Sequence, residues 1–174
     1  MKALTAFITT IVPILVLISG QADLPTKIEK KIEREIRTNY PDISIEKVLV
    51  DTLEYNISSN NGYMFNAFFL EHNKKKIGTL FFTQAMGRYN LFDFLVIFDK
   101  ESIIKKIKIL NYRSPHGGEI SSRGFIKQFE NKPENENFSY GKEINGISGA
   151  TISGKAITNE INRLFKIVKR LNKK

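Results

Sequence analysis

Between Lys47 and Leu110 the chain passes through five segments rich in Val, Ile, Phe and Tyr with only turn residues between them, and this constrains the fold more than any other feature. The segments are 47–57, 63–72, 76–84, 92–98 and 103–110. β-branched and aromatic side chains in such density favour extended backbone. The breaks, at 58–62, 73–75, 87–90 and 99–102, carry Asn, Gly, Ser, Lys and Asp. A parallel crossover needs about a dozen residues or more, so these breaks join antiparallel neighbours. Residues 92–98 are apolar almost throughout, as in a strand covered on both faces, whereas 103–110 alternates apolar with basic, as in a strand with one wet face.

Helical signals flank this block. Thr26-Lys27-Ile28-Glu29 has the capping-box pattern after Pro25, and Ile28, Ile32 and Ile36 recur every fourth residue, which predicts a helix over 26–38. It ends before Pro41. A short helix is expected over 122–129, with Phe125, Ile126 and Phe129 on one side as core. A last one, to Asn172, carries Ile157, Ile161, Leu164, Phe165, Val168 and Leu171 on one stripe that should pack on the sheet. The expected class is α+β, an antiparallel sheet with packed helices.

With 174 residues and 41% hydrophobic content, one domain with a real core is supported. There is no cysteine, and the two histidines, His72 and His116, lie far apart. Iron–sulfur, thioether-haem and disulfide chemistry are excluded, and a zinc site has no ligand set. Redox work would need an organic cofactor. The net charge of +9 is spread along helix faces and the C-terminal Lys166, Lys169, Arg170, Lys173 and Lys174. No groove-reading motif or aromatic interleaving accompanies it, so nucleic acid is not the expected partner. Anionic lipid headgroups are a weaker alternative.

From Ala3 to Ala22 no residue is charged, and 7–18 is strongly apolar. Residues 1–22 therefore read as a signal peptide or N-terminal membrane anchor, with 23–174 as the domain. Lys27, Lys30, Lys31, Arg34 and Arg37 just beyond it resist export. Export is the favoured reading, which places the domain in the periplasm or on the outer face of the cytoplasmic membrane; an inner-face anchor is the other.

Asn145-Gly146-Ile147-Ser148-Gly149-Ala150-Thr151-Ile152-Ser153-Gly154 opens the last helix. Gly146 and Gly149 permit backbone conformations closed to other residues, and Ala150 keeps the approach to Thr151 open. A helix N-terminus favours phosphate through its N–H groups and dipole. The arrangement suits a phosphoester on the threonine hydroxyl. It equally suits plain N-capping by Ser or Thr.

Ser148-Gly149-Ala150-Thr151 resembles the signature of the FMN-binding domain family, which includes the flavin-carrying C subunit of the sodium-translocating NADH:quinone reductase and the G subunit of the Rnf complex. Further blocks resemble that family in order: Gly87-Arg88-Tyr89 with Phe92-Asp93-Phe94, Tyr112-Arg113-Ser114 with Gly117-Gly118-Glu119-Ile120, and Gln128-Phe129-Glu130-Asn131-Lys132. The resemblance spans 76–163 and departs at Arg113-Ser114-Pro115-His116, where many members have Glu-Thr-Pro-Gly. It implies FMN esterified to Thr151 by a separate flavin transferase, which takes the FMN unit from FAD with magnesium. The transferase pattern begins with Asp, and here that position is Asn145. The implied cofactor-binding residues are Thr151, Ser148, Gly149, Ala150, Asn145, Ser153, Arg88, Gly118 and Glu119.

Arg88 could steady the phosphate or the reduced ring, or be a turn arginine in water; Glu119 could bond the ring N–H groups or cap the short helix. His116 could reach the flavin edge or stand in solvent. No Gly-x-Gly-x-x-Gly follows a strand, so no nicotinamide site is read. The expected role is an extracytoplasmic electron carrier between membrane or periplasmic redox partners, rather than a self-sufficient enzyme. A flavin-free accessory domain of the same fold and a reductase binding FMN reversibly are the rivals.

Overall fold

The computed structural model describes residues 24–59, 61–132 and 137–173. The N-terminal signal or anchor reading falls on residues 1–22, outside the described ones. Helix α1 (Thr26–Asn39) leads into five strands, β1 (Glu46–Leu49), β2 (Phe65–His72), β3 (Lys75–Met86), β4 (Leu91–Asp99) and β5 (Ile104–Asn111). A 3-10 turn (Gly118–Ser121), the short helix α2 (Arg123–Ile126) and the long helix α3 (Thr151–Leu171) follow. The strands form one sheet in the order β1-β2-β3-β4-β5, each pair antiparallel. This is the α+β meander that the short breaks dictate.

Side chains of a strand alternate between faces, and here each face is buried under a different helix. Phe92, Phe94, Val96 and Phe98 of β4 join Phe65, Ala67 and Phe81 in the core under α3. Leu95 and Ile97 point the other way, to Ile28, Ile32 and Ile36 of α1 with Leu70, Leu80 and Phe82. β4 is therefore covered on both sides, as its unbroken apolar run requires. Phe98 stands edge-on to Phe81 at 5.7 Å and to Phe165 of α3 at 5.2 Å between ring centroids. Burying one such phenylalanine is worth about 1.5–3 kcal/mol. The whole predicted stripe of α3, Ile157 to Leu171, is buried.

One charge lies inside this layer. Glu160, 1% exposed, accepts a 2.8 Å hydrogen bond from Thr83 Oγ1 of β3 and pairs with Arg163, whose guanidinium also donates to the Ser58 carbonyl at 2.9 Å. A buried carboxylate survives only with such partners. The network fixes the rotation of α3 over the sheet.

Three expectations are corrected. The strand expected over 47–57 stops at Leu49; the Asp51 carboxylate accepts from the Leu53 and Glu54 N–H groups and turns the chain, which overrides the β-propensity beyond it. The capping box at Thr26 does not form: Pro25 is the N-cap, with no side-chain bond, and the Glu29 carboxylate pairs with Lys47 of β1 instead. The helix over 122–129 is a single turn, Arg123–Ile126, continued by irregular turns, with Ser122 Oγ accepting from the Phe125 N–H.

Candidate functional site

Three segments meet at the start of α3: the β3–β4 turn, the loop after β5 and the approach to the helix itself. Ser153, 1% exposed in the first turn of α3, ties them. The single phenolic proton of Tyr112 goes to the His116 carbonyl at 2.7 Å, so the Ser153 hydroxyl donates to Tyr112 Oη at 2.8 Å. Gly117, buried between them, has φ +93°, and a Cβ there would collide with Tyr112 Oη and lie 2.9 Å from Ser153 Oγ. Only glycine fits. From the β3–β4 turn, Gly87 comes so close that its Cβ would be 3.3 Å from both Ser114 Oγ and Ser153 Oγ. Ser114 Oγ in turn accepts from the Asn90 N–H at 3.1 Å.

The approach to the helix is held from below. Gln128 clamps the Asn145 backbone, accepting from its N–H at 2.7 Å and donating to its carbonyl at 3.4 Å. Tyr140 Oη accepts from the Ile147 N–H at 2.8 Å and donates to the Ile147 carbonyl at 3.3 Å. Its ring lies on Gly154, where any Cβ would overlap it. Gly149, φ +80°, then turns the chain into the helix, with the Glu119 carboxylate 3.5 Å from where its Cβ would be.

Thr151 is the first residue of the 21-residue α3, and it is exposed. The N-cap is Ala150, buried, with φ −123°, ψ 22° and no side-chain cap bond. The capping alternative for Ser148 and Thr151 is therefore not realised, and among the described residues no side chain caps the helix's first N–H groups. They open onto a cavity of about 250 Å³ bounded by Gly117, Gly149, Ala150, Thr151 and Ser153, with Arg88 and His116 at its rim. The helix dipole and the exposed Arg88 guanidinium both favour an anion here.

The residues present fit the phosphate end of FMN. Glycine at 117 and 149 opens the backbone, an exposed hydroxyl stands at a helix start, and a cation is near. The cavity is smaller than the roughly 300–1,000 Å³ of pockets that enclose whole small molecules. Exposed apolar surface beside it, Ile152 at 51% and Tyr89 at 55%, could take the face of a planar ring. The Arg88 guanidinium already lies 5.3 Å from the Tyr89 ring centroid.

Of the residues read from sequence, Thr151, Ala150, Gly149, Ser153 and Arg88 line one cavity; Gly118 and Glu119 do not line it, although the Glu119 carboxylate lies near Gly149. Asn145 and Ser148 are exposed on the approach and do not line it. Glu119 caps no helix, since Ser122 caps α2. Phe125 and Phe129 are core, 5.6 Å apart and edge-to-face. Tyr112 and Gln128 stand in blocks that resemble the family, but the supporting roles of these two and of Tyr140 are not legible in sequence, because each acts across the chain. Gly117 could have been found from the Gly-Gly pair.

A family model described as the FMN-binding domain matches residues 91–166. The match runs from the start of β4 into α3 and holds every residue named above except those of the β3–β4 turn, 87–90. No curated protein matches the chain.

Proposed function

We propose, from the match of residues 91–166 to the FMN-binding domain family model, that the chain is an extracytoplasmic electron carrier holding FMN through a phosphoester on Thr151. The observation that carries this reading is the exposed Thr151 hydroxyl at an N-terminus with no side-chain cap among the described residues, beside a cavity with room for a phosphate. Attachment would proceed by loss of the Thr151 hydroxyl proton, bonding of Oγ1 to the flavin-side phosphorus of FAD, and cleavage of the pyrophosphate link to release AMP. A separate flavin transferase with magnesium would supply the catalysis.

Once attached, the flavin accepts and donates electrons; the chain's own residues bind and orient it. The α3 N–H groups and Arg88 neutralise the phosphate. Ser153 is unavailable as an alternative acceptor, being buried and bonded to Tyr112. Glu119, exposed and near Gly149, would accept from ring N–H groups. The uncharged run before residue 23 supports export, and a covalent link suits a compartment where a lost cofactor is not readily replaced.

Acid precipitation of protein co-produced with a flavin transferase tests the mode of binding. Flavin absorbance that stays with the pellet supports the ester. Absorbance that moves to the supernatant supports reversible binding, and its absence from the native protein supports a flavin-free accessory domain.

A further inference from the structure

β5 is an edge strand, and its outer edge forms the floor of a basic groove. The direction of its backbone groups follows from the hairpins. The Gly87 N–H donates to the Asn90 carbonyl, and the Asp99 N–H to the Ile103 carbonyl. In an antiparallel ladder these directions alternate, so Leu95 and Ile97 of β4 turn theirs to β5 and meet Lys108 and Lys106. Ile107 and Ile109 therefore aim their N–H and C=O groups outward. At the start of the strand the same edge is already used: Ile104 donates to the Lys132 carbonyl and accepts from the Asn131 N–H at 2.8 Å. Past that point the partner segment leaves, and a groove of about 300 Å³ opens between β5 and α2.

Ile107, Ile109 and Ile126 line it, and Lys108, Arg123 and Lys127 stand exposed along it. Lys106 is paired with Glu130 at 3.6 Å; the other three cations have no carboxylate partner among the described residues. An unpaired edge strand is a template for a further strand, and proteins block such edges unless they are used. Lysine on the strand discourages self-association but attracts a chain of opposite charge.

We propose that this groove docks an extended acidic segment of a partner protein, added as a sixth strand beside β5. Backbone bonds to Ile107 and Ile109 give the pairing, and Lys108, Arg123 and Lys127 select alternate Asp or Glu side chains. The groove reaches Ser121, two residues from Glu119. The surface itself does not depend on flavin.

Binding of a fluorescent synthetic peptide of alternating Glu and Val, followed by anisotropy, tests the proposal on the domain with or without flavin. Saturable, salt-weakened binding is expected, reduced roughly tenfold or more in Arg123→Glu/Lys127→Glu and unchanged in Lys75→Glu, an exposed lysine on β3. Amide exchange at Ile107 and Ile109 should slow when the peptide is bound. Equal binding of a peptide with the same charges but proline in place of valine overturns strand addition. Loss of binding in Lys75→Glu as large as in the double variant shows only diffuse charge attraction, and full competition by anionic phospholipid vesicles without slowed exchange assigns the surface to a membrane; either result overturns it.

Discussion

The hydroxyls of Ser153 and Tyr112 meet at 2.8 Å, and this bond joins the first turn of α3 to the loop after β5. Around it Gly117 approaches closer than any side chain allows, and Gly87 packs more tightly than most Cβ atoms do. The cavity beside Thr151, lined by Gly117 and Ser153, is thus shaped by contacts to Tyr112 and Gly87, which do not line it.

Gly117→Ala should damage the site where Gly118→Ala does not. The first adds a Cβ against Tyr112 and Ser153 at φ +93°, whereas a Cβ at Gly118 meets the Tyr112 ring at an ordinary 3.6 Å. Urea unfolding should show a loss of about 1–3 kcal/mol for Gly117→Ala and little change for Gly118→Ala. Flavin loading should fall in the first alone.

Glycine inside a helix ordinarily gives way to alanine with a gain in stability of about 0.5–1 kcal/mol. Gly154→Ala should do the opposite. The added methyl displaces the Tyr140 ring and with it the phenolic bond to the Ile147 N–H. A loss of about 1–3 kcal/mol in chemical denaturation, as for overpacking elsewhere, is the expected result.

Removing the buried carboxylate in Glu160→Ala leaves Thr83 Oγ1 and the Arg163 guanidinium without their acceptor. Breaking one side of a buried pair costs about 3–5 kcal/mol. Thermal unfolding should register it, and replacing both partners together in Glu160→Met/Arg163→Met should recover part of the loss.

Tyr40 gives a pH prediction. Its Oη is buried with no hydrogen-bond partner among the described residues, and burial first, then the charge of Asp99, raises its pKa above 10.0. The folded state thus holds the phenolic proton more tightly than the unfolded chain does. That contribution is complete below pH 10 and is lost as pH rises through the folded value. Stability should therefore decline above about pH 10 more steeply in the wild type than in Tyr40→Phe. At neutral pH the substitution should cost nothing, since it removes an unpaired polar atom.

How much of this was legible follows from where the information sits. The meander is written in the breaks between strands, because a few turn residues cannot accommodate a crossover, and the α3 stripe is written in its period. Residues 50–57 misled, since β-branched and aromatic side chains there yield to the local bonding of Asp51. Thr26 and Glu29 misled in a different way: Glu29 found a better partner across space in Lys47. At the site, Gly149, Ala150 and Thr151 are contiguous and could be read as a unit. Tyr112 and Gln128 lie in blocks that resemble the family, but their hydrogen bonds, like those of Tyr140, reach residues along the chain that no local pattern pairs them with.

The most direct measurement is the intact mass of the chain co-produced with a flavin transferase, beside Thr151→Ala. The account predicts a gain of one FMN less one water in the wild type and none in the variant. An unmodified wild-type mass from the native host, with no bound yellow chromophore, would contradict it.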